Sequence, residues 1–469
     1  MASKDLTLDR EEMTRLGYRA IDLVVSHFEK LPQLPVSRVQ SREDMERALR
    51  EPPPREPSSA DAIFDTLSRH VLPNIIHVDH PRNFAFVPGP NNFAGVLGSL
   101  IASGFNVFAG TWLEASGPAQ IELVTIDWMK EILGLPGSAA GLFVSGGSAA
   151  NLTALLVARE DRLSGDLASG MGYCSSQTHS SMERAFRVLG LRPHQLTRVE
   201  TDEVFRLSLP ALERAIALDR ARGRKPFVVI ANAGTTNTGA VDPLPELAEL
   251  CRKEDLWLHV DGSFGAVAAL SPRKSHLLRG LDRADSLSLD PHKWLFQPYG
   301  TGTVLVRQGN LLERYFQVFP EYLDDVKGGS DELNFCDYGI ELTRSFRALR
   351  LWMTFKLFGL DRIQAAVEHG IEMAERAEAG LREIPLFEIV APAELGVVAF
   401  RYRAHPPARA DELNRRLVRA VMDDGFAFVS STTLGGKTVI RLCPINPRTT
   451  AADIDRSVER ICQLAARLD

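Results

Sequence analysis

Between about residue 80 and residue 350, short apolar runs alternate with longer segments of helical spacing. The apolar runs are GLFVSG (141–146), PFVVIANAG (226–234), DLWLHVDG (255–262), DSLSLD (285–290) and TGTVLVR (301–307). Strands that alternate with helices are joined by crossovers, so they run parallel and are buried on both faces. The pattern predicts an α/β fold with a mainly parallel sheet, in which ligands bind at the carboxyl ends of the strands.

The two ends of the chain have a different pattern. The first ~35 residues have helical spacing, and the proline-rich stretch EPPPREPSS (51–59) follows them. We therefore expect residues 1–78 to form an N-terminal helical arm that packs on the main body or on a second subunit. Three helical segments and three apolar runs in residues 356–469 predict a small α+β C-terminal domain, which leaves residues 79–355 as the large domain.

Composition excludes several classes of protein. There are 54 Lys and Arg residues against 60 Asp and Glu, so the net charge is −6, and no basic stripe indicates nucleic-acid binding. No apolar run approaches the ~18 residues of a membrane span, and acidic residues stand where a signal peptide would have its apolar stretch. The five cysteines lie far apart without a CxxC pair, which favours reduced thiols over a disulfide or metal framework. These features predict a cytoplasmic enzyme without a metal site.

A lysine and an aspartate each follow a predicted strand. Lys293 stands in DSLSLDPHKW (285–294), and Asp261 ends the run DLWLHVD. A lysine in a partly apolar crevice loses its proton more easily, which suits Schiff-base chemistry. A neighbouring carboxylate could pair with it, or could bind the ring nitrogen of a cofactor whose aldehyde the lysine holds. An ordinary surface lysine and a turn aspartate fit the same pattern.

Three further signals follow predicted strands in order along the chain. The turn SGGS (145–148) resembles a phosphate-binding turn at a helix start, His179 precedes a helix, and Thr235 and Thr236 follow an apolar strand. Each has an ordinary explanation as a strand–helix turn, a capping group or turn formers. Their common position at the ends of successive strands is what indicates a shared site.

This arrangement resembles the fold-type I enzymes that use pyridoxal 5′-phosphate (PLP), and most closely the group II amino-acid decarboxylases that include aromatic-L-amino-acid decarboxylase. The resemblance covers roughly residues 75 to 465. It depends on HPRNFAFVP (80–88), GGSAAN (146–151), HSSMERA (179–185), GTTNTGAVD (234–242), WLHVDGSFG (257–265), DPHKW (290–294), PEYLDD (320–325), LTRSFRALRLW (342–352) and RLCPINPRTT (441–450). The joint occurrence of DPHKW and WLHVD at this spacing is specific to the family.

The resemblance implies a role for each matching residue around PLP. Lys293 would link covalently to the cofactor aldehyde, and Asp261 would keep the pyridine nitrogen protonated. His179 would stack on one face of the ring. The remaining predicted contacts are Ser263 on the other face, Thr236 beside the cofactor, and Gly147, Ser148, Asp290 and His292 around the phosphate or next to the lysine. Because the Asp290 carboxylate would repel a phosphate, we expect any contact from that residue through its backbone.

The resemblance also implies a reaction, a substrate class and an assembly. The expected reaction is decarboxylation of an L-amino acid to its amine, with Tyr322 delivering a proton late in the reaction. Phe86, Trp112 and His179 would contact the substrate, and the cluster of Phe84, Phe86, Phe108 and Trp112 favours an aromatic one. The expected assembly is a homodimer with its active sites at the subunit interface.

Three alternatives remain at this point. An aldehyde synthase of the same family would use oxygen to decarboxylate and deaminate the substrate. An aminotransferase would share the fold, although LTRSFR and PEY do not indicate one. A non-catalytic PLP-binding regulatory module would bind the cofactor without releasing carbon dioxide.

Overall fold

The computed structural model describes residues 6–318, 332–403 and 407–468. The helices are α1 (Arg10–Lys30), α2 (Arg42–Leu49), α3 (Ala60–Thr66), α4 (Phe93–Gly104), α5 (Trp112–Leu133), α6 (Gly147–Leu163), α7 (Ser181–Val188), α8 (Leu209–Ala221), α9 (Leu244–Lys253), α10 (Asn310–Phe316), α11 (Ala348–Phe358), α12 (Leu360–Arg382), α13 (Ala410–Asp424) and α14 (Ala451–Ala465). The strands are β1 (Ala140–Val144), β2 (Gly170–Ser175), β3 (Leu196–Val199), β4 (Lys225–Asn232), β5 (Trp257–Asp261), β6 (Ser286–Leu289), β7 (Gly302–Val306), β8 (Phe387–Ala391), β9 (Val398–Tyr402), β10 (Ser430–Leu434) and β11 (Lys437–Leu442).

Seven strands form the large sheet, in the order β1-β7-β6-β5-β4-β2-β3. All five predicted strands are present, which confirms the α/β class with a mainly parallel sheet. β7 is the exception in direction, because it runs antiparallel to both β1 and β6. The described residues 290–301 between β6 and β7 form no helix. Without a crossover helix, the chain returns in the opposite direction.

The C-terminal sheet has four antiparallel strands in the order β10-β11-β9-β8. Helices α12, α13 and α14 pack with it around a second apolar core. Phe84 belongs to this core, although it precedes the large sheet in sequence. Its backbone N–H donates to the Phe428 carbonyl at 2.8 Å, and its carbonyl accepts from the Cys443 N–H at 2.9 Å. The division into residues 1–78, 79–355 and 356–469 stays a prediction.

Helices α1, α2 and α3 confirm the helical character of the N-terminal segment, but none of them contains a buried residue. Buried apolar side chains in this region lie in the connections instead, at Leu31 and Val36. In proteins most helical stability comes from packing an apolar face against other structure. These helices therefore lack most of that support within one chain. Among the described residues, no helix has both the length and the apolar character needed to cross a membrane.

A buried ion pair joins three segments of the large domain. Arg344 Nη2 lies 2.6 Å from Glu122 Oε1, and both side chains are almost fully buried. The guanidinium also donates to the Ala109 carbonyl at 3.0 Å and to the Phe143 carbonyl at 2.9 Å. Since Glu122 also accepts from the Phe143 N–H at 2.8 Å, the pair connects α5, β1 and the segment before α11.

We expect Arg344→Met to lower the free energy of unfolding of the holoenzyme by about 3–5 kcal/mol, because it leaves the Glu122 carboxylate buried without its cation. Urea unfolding followed by circular dichroism measures this. Arg376→Met is the matched control, because Arg376 and Asp455 form an ion pair with the same 2.6 Å separation on the surface. Surface pairs contribute little. Equal losses in the two variants would contradict the role given to the buried pair.

Candidate active site

A cavity of about 270 Å³ opens at the carboxyl ends of β1, β4, β5 and β6. The first turn of α6 forms one wall, because the chain turns from β1 into that helix at the same edge of the sheet. The lining residues are Ser145, Gly146, Gly147, Ser148, Ala149, Asn151, His179, Ser181, Asn232, Gly234, Thr236, Asp261, Ser263, Phe264, Asp290, His292 and Lys293. The cavity therefore lies where ligands bind in α/β sheets.

Nine residues predicted to contact the cofactor line this one cavity: Gly147, Ser148, His179, Thr236, Asp261, Ser263, Asp290, His292 and Lys293. They come from five separate segments of the chain, which the sheet topology brings together. Phe86 and Trp112, predicted to contact the substrate, are not among the lining residues. Tyr322 lies outside the described residues.

The turn before α6 has no room for side chains. A Cβ atom on Gly147 would lie 2.5 Å from Ser263 Oγ and 2.8 Å from Asp290 Oδ2. Gly146 has φ of +158° and precedes the helix directly. The free amides at the start of a helix, together with its dipole, attract anions. This wall can therefore accept a phosphate group close to the backbone.

Lys293 forms an ion pair inside the cavity. Its Nζ lies 2.9 Å from Asp290 Oδ2, and His292 Nε2 lies 3.6 Å from the same oxygen. Burial lowers the pKa of His292, so its ring is neutral near pH 7. Two atoms here, Asp290 Oδ1 and His292 Nδ1, are buried without a hydrogen-bond partner in the part of the chain that the structure describes. A buried polar atom without a partner costs free energy, so this wall suits a polar ligand.

Asp261 is buried at the end of β5 and accepts three hydrogen bonds. The Ser263 N–H lies 3.1 Å and Ser288 Oγ 3.2 Å from Oδ1, and Asn151 Nδ2 lies 3.2 Å from Oδ2. Burial alone would raise the pKa of this carboxyl, but hydrogen bonds from Ser263 and the positive charge of Lys293 outweigh it and lower the pKa. The cavity therefore contains a stable negative charge at the end of β5.

The ring of His179 is fixed by its neighbour Ser181. The Ser181 N–H donates to Nδ1 at 3.2 Å, and Ser181 Oγ lies 2.9 Å from the same nitrogen. Burial lowers the pKa of His179, so the ring is neutral near pH 7. Since Nδ1 accepts a backbone hydrogen bond, the ring proton is on Nε2. His179 thus offers a flat ring and one N–H donor.

The sequence HVDGS differs from the HVDAA that is usual in the resembling family, and the packing explains the glycine. A Cβ atom on Gly262 would lie 2.5 Å from the Ala266 Cβ and 2.9 Å from Leu287 Cδ1. In this chain Ala266 and Leu287 fill the space that the usual alanine would take. Ser263 lines the cavity, and its Oγ lies 3.4 Å from Ser288 Oγ.

The aromatic residues predicted to form a substrate pocket lie apart. Phe86 is 61% exposed, with a positive φ of 56°, and Phe84 is in the C-terminal core. Trp112 packs at the margin of the apolar cluster under β1 and α6. Their role in substrate binding stays a prediction.

Several residues of the cavity had no predicted role, above all Asn151 and Ser181. Asn151 ends the motif GGSAAN and Ser181 follows His179 by two residues. Asn151 lies one helical turn after Gly147, so the i, i+4 spacing puts both on the same side of α6. The spacing from Gly147 therefore could have predicted that Asn151 faces the cavity.

Comparison with known proteins agrees with this geometry. A family model described as the pyridoxal-dependent decarboxylase conserved domain matches residues 43–403. The chain belongs to this family. It is 50% identical to an aromatic-L-amino-acid decarboxylase of Bacillus atrophaeus over 467 residues, covering 99% of this chain and 97% of the relative.

Solved structures of family members superpose over nearly the whole chain. Oryza sativa TDC with PLP and tryptamine has a TM-score of 0.94 at 28% identity and covers 99% of both chains. Catharanthus roseus tryptophan decarboxylase in complex with L-tryptophan has a TM-score of 0.93 at 27% identity, covering 99% of this chain and all of the other. The protein is accordingly a PLP-dependent amino-acid decarboxylase, and its cofactor is PLP.

The cavity residues fit that cofactor. The glycine turn and the start of α6 suit its phosphate, and His292 Nδ1 is a buried atom without a partner. The Lys293 amine suits its aldehyde, and the Asp261 carboxylate suits its ring nitrogen. The residues present therefore suit the phosphate, the aldehyde and the ring nitrogen of PLP.

Proposed function

We propose that this decarboxylase removes the α-carboxyl group of an aromatic L-amino acid and releases the amine and carbon dioxide. The observation that carries the proposal is the placement of Lys293, Asp261 and His179 on one cavity beside the start of α6. The aromatic preference is supported by the relative from Bacillus atrophaeus, which is named an aromatic-L-amino-acid decarboxylase.

When bound, PLP supplies an aldehyde that an amine can attack and a ring that accepts the electron pair left when carbon dioxide departs. In the proposed mechanism Lys293 Nζ would be the protein amine that binds this aldehyde, and the Asp290 carboxylate 2.9 Å away would accept a hydrogen bond from it. Asp261 holds a proton at the ring nitrogen, because its own pKa is lowered and it remains an anion.

The other cavity residues bind and orient. His179 provides a ring to stack on the cofactor, with Ser263 on the opposite face. The backbone amides of Gly147 and Ser148 and the His292 ring would hold the phosphate, and Thr236, in the segment that follows β4, would contact the cofactor. Asp290 approaches the phosphate through its backbone only, since its carboxylate is committed to Lys293.

Release of labelled carbon dioxide from the common L-amino acids, with product identification, tests the proposed function. We expect release from L-tryptophan, L-tyrosine or L-phenylalanine with the matching amine as product. Turnover of glutamate or another acidic amino acid alone would show that the aromatic assignment is wrong. PLP binding without carbon dioxide release from any amino acid would support the regulatory module instead.

Tyr322 separates amine formation from aldehyde formation in our proposal. A phenol can protonate the α-carbon after carbon dioxide leaves, before oxygen attacks that carbon. In the resembling family a tyrosine here accompanies amine products and a phenylalanine accompanies aldehyde products. We expect Tyr322→Phe to retain PLP, lose amine output, and gain aldehyde, ammonia and oxygen consumption. An unchanged product ratio, measured by chromatography and an oxygen electrode, would remove Tyr322 from the mechanism.

We also propose that the enzyme is a homodimer with its active sites at the subunit interface. Exposed apolar side chains are concentrated at the end of α4 and the start of α5, at Leu100, Ile101, Phe105 and Leu113, which we call the α4–α5 patch. Large exposed apolar patches mark protein interfaces. The absence of buried residues in α1, α2 and α3 supports the same assembly, because a second copy would cover those helices.

We expect Phe105→Glu to shift the protein from dimer to monomer in sedimentation velocity, because it places a charge in the α4–α5 patch, where Phe105 is 80% exposed. Leu218→Glu is the control, since Leu218 is a 50% exposed apolar residue of α8 on another surface. A dimer in both variants would place the interface elsewhere, and a monomeric wild type would contradict the dimer itself.

A further inference from the structure

A chain of hydrogen bonds lies behind the cavity, and the proposed function leaves most of its members unused. Trp257 Nε1 donates to Ser286 Oγ at 2.8 Å, and Ser286 Oγ lies 2.9 Å from His259 Nδ1. His259 Nε2 in turn lies 3.0 Å from Asn151 Oδ1. These four side chains are all buried, and among them only Asn151 lines the cavity.

The chemistry of these groups determines which atom donates in each hydrogen bond of the series. An indole nitrogen can only donate, so Ser286 Oγ accepts from Trp257 and its own proton is free for His259 Nδ1. Burial lowers the pKa of His259 to about 4, so the ring is neutral and has one proton. Asn151 donates from Nδ2 to the Asp261 carboxylate, so it presents its acceptor Oδ1 to His259. The ring proton is therefore on Nε2, and Nδ1 accepts from the Ser286 hydroxyl.

The carboxamide of Asn151 is constrained from its other side as well. Its Nδ2 donates to Asp261 Oδ2 at 3.2 Å and to Ser181 Oγ at 3.1 Å. An ionised carboxylate only accepts, so a flipped amide would place two acceptor oxygens against each other. The Ser181 hydroxyl that accepts from Asn151 lies 2.9 Å from His179 Nδ1. One amide group therefore contacts Asp261 directly and His179 through Ser181.

We propose that His259 is a positioning residue of this enzyme: it fixes the orientation of Asn151, which in turn holds the Asp261 carboxylate and the Ser181 hydroxyl that supports His179. The inference rests on the proposed function, which assigns Asp261 to the ring nitrogen of the cofactor and His179 to one face of the ring. His259 itself is not among the residues that line the cavity.

If His259 has this role, its loss should impair catalysis and PLP binding in the folded holoenzyme, whereas loss of a purely structural residue should lower only stability. We expect His259→Leu to lower kcat by about 10- to 100-fold, by analogy with the loss of an outer hydrogen-bond partner of a metal ligand. The dissociation constant of PLP, measured by equilibrium dialysis, should rise with it, while KM changes less. His259→Gln should recover most of both losses, because its amide N–H can still donate to Asn151 Oδ1.

Asn414→Leu is the matched control. Like His259, Asn414 is a buried polar side chain with hydrogen bonds to other parts of the protein. Its Oδ1 accepts from the Tyr402 N–H at 2.9 Å, and its Nδ2 donates to the Tyr402 carbonyl at 3.1 Å and to the Ala410 carbonyl at 2.7 Å. It lies in the C-terminal core, away from the cavity. This variant should lose thermal stability but retain kcat and the PLP dissociation constant of the folded protein.

Two results would overturn the inference. The first is a wild-type kcat and PLP dissociation constant in His259→Leu, and the second is a His259→Gln variant no better than His259→Leu. If His259→Leu does not fold, Ser286→Ala replaces it as the test, because it removes only the hydroxyl that bonds to His259 Nδ1. We expect Ser286→Ala to change kcat and the PLP dissociation constant in the same direction but less. Wild-type values of both would contradict the role. Since PLP affinity needs no substrate, this test holds even if the carbon dioxide screen fails.

Discussion

Replacement of Lys293 by alanine is expected to lower kcat for amine formation by about 10⁴- to 10⁶-fold, the range found when a covalently acting group is removed. Lys293 is the lysine of the cavity, and its amine lies 2.9 Å from a buried carboxylate. Among the described residues that line this cavity, no other has an amine side chain. The measurement is amine production by chromatography at saturating PLP, in protein whose folding is verified by circular dichroism.

Lys274→Ala is the control for loss of a partly buried, paired lysine. Lys274 Nζ lies 3.1 Å from Glu375 Oε1, much as Lys293 lies 2.9 Å from Asp290, but Lys274 is remote from the cavity. Its variant should retain wild-type kcat. Equal activity in the Lys293 and Lys274 variants would contradict the assignment of Lys293.

Asp261→Asn is expected to lower kcat by about 10²- to 10³-fold, the usual effect of removing one electrostatic partner of a developing charge. Asparagine retains the size of the side chain but removes the anion that would hold the proton at the ring nitrogen. PLP should still bind, since the phosphate wall at the start of α6 is unchanged. Steady-state kinetics, with PLP content measured from absorbance, separate the two effects.

The control for Asp261 is Asp219→Asn. Asp219 is also buried and accepts from Tyr173 Oη at 2.9 Å and Arg224 Nη1 at 3.1 Å, but it lies on α8 away from the cavity. We expect it to change stability without changing kcat. A fully active Asp261→Asn enzyme would show that this carboxylate does not act on the cofactor.

The large sheet was predictable where a strand is a buried apolar run. PFVVIANAG and DLWLHVDG have that character, and they form β4 and β5. β2 is fully buried, but its sequence GMGYCS contains two glycines, which are unusual in strands. β3 has only four residues. β2 has no β-branched residue, and β3 has two but is too short to show the pattern on which such predictions depend.

The cavity was predictable to the extent that each residue follows a strand or begins a helix. Lys293, Asp261 and Gly147 are of this kind, because parallel strands end at one edge of the sheet. His259 is different, since the role proposed for it depends on a hydrogen bond to Asn151, 108 residues away in sequence. Spacing within a single sequence contains no record of such contacts.

The aromatic pocket was the least predictable feature. Phe84 fills the C-terminal core, whereas Phe86, only two residues later, is exposed. Phe84 is hydrogen-bonded through its backbone to Phe428 and Cys443, whereas Phe86 has a φ of 56°, which breaks the alternation of side chains that an extended segment would have. In our dimer proposal the partner subunit would contribute to the substrate pocket.

The most direct test of the central claim is borohydride reduction of the holoenzyme followed by peptide mass analysis. Reduction makes the link between PLP and its lysine permanent, so the modified peptide identifies the residue. We predict the pyridoxyl group on Lys293, in the peptide that contains DPHKW. A pyridoxyl group on another lysine, or on none, would contradict the mechanism proposed for this enzyme.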